Sequence, residues 1–211
     1  MVNVLYIHGM GGGSDSRIPS VLKGLLEPYG VRLLCRTYDF EPVCASGQID
    51  AWVKELAPGL VIGESLGSLH ALRVSGVPHI LVSPSLNAPI YLWCLGFLTF
   101  LPGITDFFNH LYRPKEGDRQ PLHFTFGNLK SYRMHRNAAL SNSVRNGSKD
   151  WFHAFFGTRD HYRKSAIVSV RTWEKYFGNT FSLYDGTHFM EEEHILTSLL
   201  PCILKVLSIK Q

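Results

Sequence analysis

Six short apolar runs alternate along the chain with segments whose apolar residues recur at helical spacing, and this alternation is the strongest constraint on the fold. The predicted strands are Val2–Ile7, 31–37, 60–62, His79–Val82, 151–156 and 180–184. The predicted helices are 18–29, 48–56, 65–75, 165–177 and 190–207. The strands are almost continuously apolar, which is typical of strands covered on both faces. We therefore predict an α/β fold with a mostly parallel, doubly wound sheet of about six strands.

One long segment, residues 86–150, interrupts this alternation because it contains no clear strand. It is first apolar and aromatic, then rich in Arg, Asn, Ser and Gly. A structureless loop of this length is improbable in a compact domain, so we expect an inserted helical cap over the sheet. A chain of 211 residues can bury one sizeable core. The sequence thus predicts a single domain, 1–211, with a cap insertion at about 86–150.

The composition favours a globular protein without an electrostatic partner. Apolar residues make up 45% of the chain and charged residues 18%, which excludes intrinsic disorder. The 21 basic and 17 acidic residues give a net charge of only +4, and no Lys/Arg run predicts nucleic-acid binding. The four cysteines are far apart. Their spacing favours free thiols in a reducing, cytoplasmic environment and gives no reason to expect a metal site.

Neither the apolar N-terminal stretch nor the apolar stretch in the insertion predicts a membrane anchor. The N-terminal "MVNVLYIHG" lacks a charged region and a cleavage site, so we interpret it as a strand and not as a signal peptide. Residues 89–104 form the longest apolar stretch, but they are fewer than the roughly 20 residues that cross a bilayer. We expect this stretch to be a buried or cap helix, without stable membrane insertion.

Residues 63–67, "GESLG", match the pattern G-x-S-x-G between a predicted strand and a predicted helix. A nucleophile at such a sharp turn is held in a strained conformation, and the residues two before and two after it must be small. Gly63 and Gly67 meet this requirement on either side of Ser65. The pattern alone is short enough to arise by chance, so its interpretation depends on other segments.

The first such segment is "YIHGMGGG", residues 6–13, which follows the first strand. Acyl transfer needs two backbone N–H donors for the oxyanion, one after the nucleophile and one from an early loop. We predict Leu66 and Met10, with Gly11 as the alternative to Met10. A phosphate-binding loop is less favoured, because neither G-x-G-x-x-G in its proper frame nor a following Gly-Lys-Ser/Thr is present.

Two later loops supply an acid and a base. Asp160 follows the strand and glycine of "FHAFFGTRD", and His188 follows the strand of "SLYDGTHF". Of the ten histidines, His188 is the one in a loop after a late strand. Asp185 is a rival acid, but its position in the same short turn favours a local capping role. The chain order Ser65, Asp160, His188 is the order expected for a Ser-Asp-His triad in this architecture.

These four segments, "YIHGMGGG", "VIGESLGS", "FFGTRD" and "DGTHF", resemble those of the α/β-hydrolase superfamily. Their order spans nearly the entire chain, and the short N-terminus is similar to compact bacterial serine esterases. The resemblance implies Ser65 as nucleophile, His188 as base and then acid, Asp160 as its orienting partner, and Met10 and Leu66 as oxyanion donors. Glu64 departs from the histidine that is frequent at its position, and the sequence assigns it no role.

We therefore predict a serine esterase that cleaves a carboxylic ester or thioester of a small-molecule acyl substrate through an acyl-enzyme, with no cofactor and no metal. Two alternatives remain open: an amidase or peptidase with the same triad, and a non-catalytic protein that binds a lipid or partner on a hydrolase fold. The sequence predicts neither the oligomeric state nor the acyl specificity. The insertion's aromatic residues fit ordinary cap packing or an acyl pocket, and they are Trp93, Phe97, Phe100, Phe107 and Phe108.

Overall fold

A computed structural model describes residues 1–111, 117–145 and 151–209, and its centre is one sheet of six parallel strands. The spatial order is β2-β1-β3-β4-β5-β6, with every neighbouring pair parallel. This confirms the predicted fold class. The strands are β1 (Val2–Ile7), β2 (Val31–Cys35), β3 (Leu60–Glu64), β4 (His79–Val82), β5 (Phe152–Gly157) and β6 (Phe181–Tyr184).

The helices lie between these strands in the chain, except for the last two, which follow β6. They are α1 (Arg17–Leu26), α2 (Pro42–Leu56), α3 (Ser68–Ala71), α4 (Ala88–Gly96), α5 (Ile104–Leu111), α6 (Phe126–Arg145), α7 (Val170–Phe177), α8 (Glu192–His194) and α9 (Leu200–Val206). A π-helical turn, Ile195–Leu199, joins α8 to α9. Short 3₁₀ turns occur at Glu27–Tyr29, Ser65–Gly67, Phe97–Phe100 and His161–Arg163.

The side chains of β1 show how the sheet separates two apolar layers. Leu5 and Ile7 point into one layer, with α2, α3, α6 and α7, whereas Val4 and Tyr6 point into the other, with α1, α9 and the π turn. Successive side chains of a strand face opposite sides of the sheet. Because both sides are packed by helices, both sets of side chains are apolar and buried, as the continuous apolar strands predicted.

The described part of the insertion contains three helices, and they differ in how deeply they are buried. Leu129, Tyr132 and Leu140 of α6 are buried in the layer that also contains α2 and α7. By contrast, α5 has no buried residue. The insertion therefore supplies a core helix, α6, a helix that packs partly on the core and lines the cavity, α4, and an outer helix, α5. The predicted cap residues 112–116 and 146–150 lie outside the described residues.

Two predicted helices begin at different places in the structure, because capping residues set their ends. The helix predicted from residue 48 begins at Pro42, where the Glu41 carboxylate accepts a hydrogen bond from Cys44 N at 2.7 Å. The helix predicted from residue 165 begins at Val170, after Ser169, whose hydroxyl accepts a hydrogen bond from an amide of the first turn.

The helix predicted over 65–75 is shorter than expected. Its first turn is 3₁₀ and its α-helical part ends at Ala71. Beyond Ala71 the hydrogen bonds are those of tight turns, from Arg73 N to His70 O and from Val74 N to Ala71 O, and the chain then leads to β4. The first turn of this helical segment is sufficient to position Ser65 between β3 and α3.

Candidate active site

Ser65 occupies a strained position at the carboxyl end of β3. Its φ is 50°, in the left-handed region that non-glycine residues adopt rarely. Glycine is required at positions 63 and 67 because neither position has room for a side chain. A Cβ on Gly63 would lie 2.7 Å from the Cβ of Ala71, and one on Gly67 would collide with the carbonyl oxygen of His8. The close packing of β3, the 3₁₀ turn and the loop after β1 therefore fixes where the Ser65 hydroxyl projects.

The Ser65 hydroxyl, the His188 imidazole and the Asp160 carboxylate form a continuous hydrogen-bonded chain. Ser65 Oγ lies 2.9 Å from His188 Nε2, and His188 Nδ1 lies 2.8 Å from Asp160 Oδ2. With Nδ1–H donating to the carboxylate, Nε2 is the acceptor for the Ser65 hydroxyl; this tautomer follows from the hydrogen-bond network. The structure thus brings together all three residues that the sequence singled out.

The topology explains why residues so distant in the chain meet. Ser65 follows β3, Asp160 follows β5 and His188 follows β6, and parallel strands end at the same edge of the sheet. Asp160 and His188 are each only 3% exposed. The second oxygen of Asp160 accepts a hydrogen bond from Tyr162 N at 2.8 Å, so the carboxylate is held from both sides.

Ser85 is a neighbour of the site that the sequence analysis missed. It follows β4, the strand between β3 and β5, and its Oγ lies 3.1 Å from Ser65 Oγ. The amide of Ser85 also donates to the carbonyl of Ser65 at 3.1 Å. The signal was available in "LVSPS", because a polar residue after the intervening strand must reach the same edge of the sheet.

The loop after β1, which contains Met10, lies against the candidate nucleophile. Gly9 packs directly on Ser65, with a distance of 3.0 Å from its ideal Cβ position to Ser65 Cβ. The Gly11 amide, the alternative donor, is already bound to Gln120 Oε1 at 3.1 Å. Within the described residues, no hydrogen bond is recorded for the Met10 amide. The Leu66 amide lies in the first turn after Ser65, where helical amides have no carbonyl partner in their own helix.

Gln120, a residue of the insertion, connects this loop to the rest of the domain. Besides accepting from Gly11, it donates its own amide to Gly12 O at 2.7 Å. Its side-chain nitrogen donates to the carbonyls of Tyr38 and Asp39 at 3.2 and 3.3 Å. Gln120 is 1% exposed, so these bonds are shielded from water. No sequence motif marks this residue, because its contacts depend on how the insertion folds back.

Glu64, which the sequence left without a role, is held at the edge of the same site. Its Oε2 accepts a hydrogen bond from Tyr6 Oη at 2.8 Å. Burial raises the pKa of the Glu64 carboxyl above its ordinary value, while the Tyr6 hydroxyl and the nearby His188 oppose that shift. Burial and the neighbouring Glu64 carboxyl likewise raise the pKa of Tyr6 well above 10. Glu64 therefore ties β3 to β1 next to the turn that carries Ser65.

The rival acid Asp185 is placed away from this chain of hydrogen bonds. Its carboxylate is 82% exposed and pairs with Arg159 Nε at 3.1 Å. It also accepts a hydrogen bond from Thr158 Oγ1 at 3.2 Å. These side-chain contacts join the loop after β6 to the loop after β5, so the Asp185 carboxylate bridges two loops and does not cap local backbone as predicted.

Ser65 and His188 open onto a cavity of about 960 Å³. Most of its lining is apolar and comes from α4, the loop after β1 and the segment after His188. Lining side chains include Met10, Leu92, Leu95, Leu98, Phe189 and Met190. Sites of this size and character accommodate apolar small molecules, with a few polar groups that fix their orientation.

No group of three or more His, Cys, Asp and Glu side chains in 1–111, 117–145 and 151–209 is arranged to hold a metal ion. Among the helices in these same ranges, none combines the length and apolarity needed to span a membrane.

The fold is that of the α/β-hydrolases, as comparison with solved structures shows. A monoacylglycerol lipase from Paleococcus ferrophilus superposes with a TM-score of 0.64 at 17% identity, covering 98% of this chain and 94% of the lipase. Est1E from Butyrivibrio proteoclasticus, with ferulic acid bound, gives 0.65 at 16% identity, covering 99% and 90%. The mouse α/β-hydrolase domain-containing protein 10 gives 0.62 at 14% identity, covering 98% and 89%.

Comparison by sequence adds no closer relationship. No protein-family model matches the chain, and no curated protein matches it. The structural similarity therefore establishes the fold, and the activity has to be argued from the site itself.

Proposed function

We propose that this protein is a serine hydrolase that cleaves a carboxylic ester, or a thioester, through an acyl-enzyme. The observation that carries the proposal is the hydrogen-bonded chain from Ser65 through His188 to Asp160 at the wall of a largely apolar cavity. A hydroxyl, an imidazole and a buried carboxylate in this arrangement form an activated nucleophile with its base and the group that orients the base.

In the acylation step, Ser65 Oγ attacks the ester carbonyl while His188 Nε2 takes the hydroxyl proton. The negative charge that develops on the carbonyl oxygen is stabilised by the amides of Leu66 and Met10. Asp160 stabilises the imidazolium through Nδ1–H. The tetrahedral intermediate then expels the alcohol or thiol, which leaves with the proton from His188, and Ser65 remains acylated.

In the deacylation step, His188 takes a proton from water, and the resulting hydroxide attacks the acyl carbon. The same two amides stabilise the second tetrahedral intermediate. Its collapse breaks the bond to Ser65 Oγ, which recovers its proton from His188, and the carboxylic acid leaves. Each proton is thus returned, and one water molecule is consumed per ester cleaved.

The cavity and the structural neighbours support an apolar acyl group. Leu92, Leu95 and Leu98 line the space next to the nucleophile. The neighbours include a protein described as a monoacylglycerol lipase and one that binds ferulic acid. We therefore propose an ester with an apolar acyl chain as the substrate class.

Turnover of p-nitrophenyl esters of graded chain length tests the proposal. We expect hydrolysis by the wild type, rising from acetate to longer acyl chains, and loss of at least a thousandfold in kcat for Ser65→Ala. Ser20→Ala, which changes an exposed serine on α1, is the matched control and should leave the rate unchanged. Equal turnover by Ser65→Ala and the wild type would contradict the proposal.

Matched p-nitroanilides separate this function from the amidase alternative. Both substrate types use the same nucleophile, but an amide requires protonation of a poorer leaving group. We expect cleavage of the ester and little cleavage of the anilide. The reverse preference would favour an amidase, and a wild type inert towards both would favour a binding protein on this fold.

A further inference from the structure

The segment 88–111, which includes α4 and α5, exposes much apolar surface. Eight of its large apolar side chains are more than two-fifths exposed, among them Phe97, Phe100, Leu101 and Phe107. Asp106 is its one charged residue. An exposed apolar surface of this kind marks an interaction site.

Part of this surface is a contiguous set of aromatic rings. Phe97 and Phe100 both pack on Phe126 of α6, with ring centroids 5.6 and 4.7 Å apart. Trp93 packs edge-on against Phe97 at 4.9 Å. We refer to Trp93, Phe97, Phe100 and Phe126 as the aromatic cluster. Its members support one another, so the surface is preformed.

Two cations from α6 border the aromatic cluster. Lys130 Nζ lies 5.9 Å from the centroid of the Phe126 ring, and Arg133 Cζ lies 4.6 Å from that of Trp93. Both residues are exposed. The sequence of α6, residues 126–145, contains no acidic residue that could neutralise them. Apolar rings and positive charge are therefore combined on one surface.

The net positive charge of the chain is likewise concentrated in the insertion. Residues 86–150 contain eight basic and four acidic residues, whereas the rest of the chain contains thirteen of each. The insertion therefore carries the entire net charge of +4. A net charge of +4 is small, and from it alone the sequence predicts no electrostatic partner. The small value does not show that the charge is concentrated in the insertion. Of these charges, Lys130 and Arg133 lie at the aromatic cluster, and they make it complementary to an anionic partner.

This surface is continuous with the wall of the cavity. Tyr91, Leu95 and Leu98 line the cavity, and they belong to the same segment as the exposed Phe97 and Phe100. One side of the segment thus faces the site of Ser65 and the other faces outward. A partner seated on the outer side would lie next to the part of the cavity wall that Leu95 and Leu98 form.

We propose that the aromatic cluster, with Lys130 and Arg133, docks this protein peripherally on an anionic lipid bilayer. Aromatic rings bordered by Lys and Arg suit the headgroup region, where the rings enter the acyl boundary and the cations contact lipid phosphates. Aromatic residues and arginine occur at protein–protein interfaces too, but lysine is depleted there, so Lys130 favours the lipid partner. The docking does not depend on the chemistry of Ser65, and it goes beyond the proposed ester hydrolysis.

Co-sedimentation with lipid vesicles tests this inference. We expect the wild type to sediment with vesicles of phosphatidylcholine containing phosphatidylglycerol, to sediment much less with phosphatidylcholine alone, and to be released by added salt. Lys130→Gln and Arg133→Gln should each weaken partitioning about fivefold. Phe100→Ser should weaken it on the order of tenfold, because one ring no longer enters the bilayer.

Two control variants isolate the surface. Val43→Ser removes a 71% exposed apolar side chain from α2, outside the proposed surface, and should leave binding unchanged. Ser65→Ala should bind vesicles as the wild type does, so a failure of the hydrolase proposal leaves this test intact.

Three outcomes would overturn the inference. The first is a wild type that does not bind anionic vesicles or binds neutral ones equally well. The second is unchanged binding by both Phe100→Ser and Lys130→Gln. The third is a dimer in sedimentation velocity that Phe100→Ser dissociates, since the aromatic cluster would then be covered by a second copy of the chain.

Discussion

The strained backbone at Ser65 is held in place by contacts with several neighbouring residues. A left-handed φ at a non-glycine residue costs on the order of 1 kcal/mol or more and persists only where surrounding contacts determine it. Here Gly63 and Gly67 allow the close packing, and Ser85 N donates to the carbonyl of Ser65. Glu64 adds a hydrogen bond to the neighbouring strand through Tyr6. The candidate nucleophile is thus positioned before any substrate binds.

Asp160→Asn tests whether the carboxylate acts through His188. The amide nitrogen would donate to Nδ1 and so favour the wrong imidazole tautomer, leaving Nε2 unable to accept the Ser65 proton. We expect kcat for a p-nitrophenyl ester to fall on the order of 10⁴-fold, with KM little changed. Asp185→Asn is the matched control. A larger loss in Asp185→Asn than in Asp160→Asn would reverse the assignment.

At the scale of elements, the site depends on a contact between the loop after β1 and the insertion. The side-chain oxygen of Gln120 accepts from the Gly11 amide, and its backbone amide donates to Gly12 O. Its side-chain nitrogen donates to two carbonyls of the chain after β2. Gln120 thereby occupies the Gly11 amide, which is the alternative oxyanion donor to the Met10 amide. The insertion therefore contributes to the geometry of the candidate oxyanion site as well as to the cavity wall.

Gln120→Met removes these side-chain bonds at nearly constant volume. The variant leaves buried polar groups unpaired, so we expect unfolding free energy to fall by about 1–3 kcal/mol. A loosened oxyanion loop should also lower kcat on the order of tenfold. Thermal denaturation and ester kinetics measure the two effects. Gln48→Met, which removes an exposed side-chain bond to Asp39 N, is the control, and equal behaviour of the two variants would contradict this role.

The sequence could predict the elements because their patterns are local. All six strands were found to within two residues at each end, since each is a short apolar run bounded by turns. The order of Ser65, Asp160 and His188 followed from the same strands. The beginnings of α2 and α7 were missed because they depend on single side-chain caps.

Contacts between segments that are distant in the chain lay beyond the sequence. The role of α6 as a core helix depends on which face packs against α2, and the long helix has no marked apolar stripe that would reveal it. Gln120 and the Glu64–Tyr6 pair are joined by folding alone. The aromatic cluster depends on how α4 and α6 lie together. In each case, the missing information is tertiary packing.

At the scale of the whole molecule, three buried histidines make stability depend on pH. Burial lowers the pKa of His8 to about 4 and that of His135 to about 3, and it lowers the pKa of His70 well below 6.5. His8 and His70 both pack on Tyr38, and His70 packs on His135. The folded state therefore keeps these groups neutral while the unfolded chain can protonate them.

The sign of the effect follows from these shifts. Above pH 6.5 the histidines are neutral in both states, and stability is independent of them. As the pH falls below 6.5, the unfolded state binds protons that the folded state does not. Each histidine then removes about 1.4 kcal/mol per pH unit until its folded pKa is reached. Urea denaturation between about pH 7 and pH 5 should show this decline.

His70→Leu should reduce the slope of that decline. Neither ring nitrogen of His70 finds a hydrogen-bond partner within the described residues, so an apolar side chain loses no bond there. The exposed His123 provides the control as His123→Leu. An unchanged slope in His70→Leu, or an equal change in His123→Leu, would contradict the assignment to buried histidines.

The central claim is that Ser65 is an activated nucleophile, and site mapping of a fluorophosphonate adduct by mass spectrometry tests it most directly. The reagent forms a bond from phosphorus to an activated serine oxygen and releases fluoride. We predict one adduct per chain, located on Ser65, and none in Ser65→Ala. No adduct on the folded wild type, or an adduct on another residue that persists in Ser65→Ala, would contradict the claim.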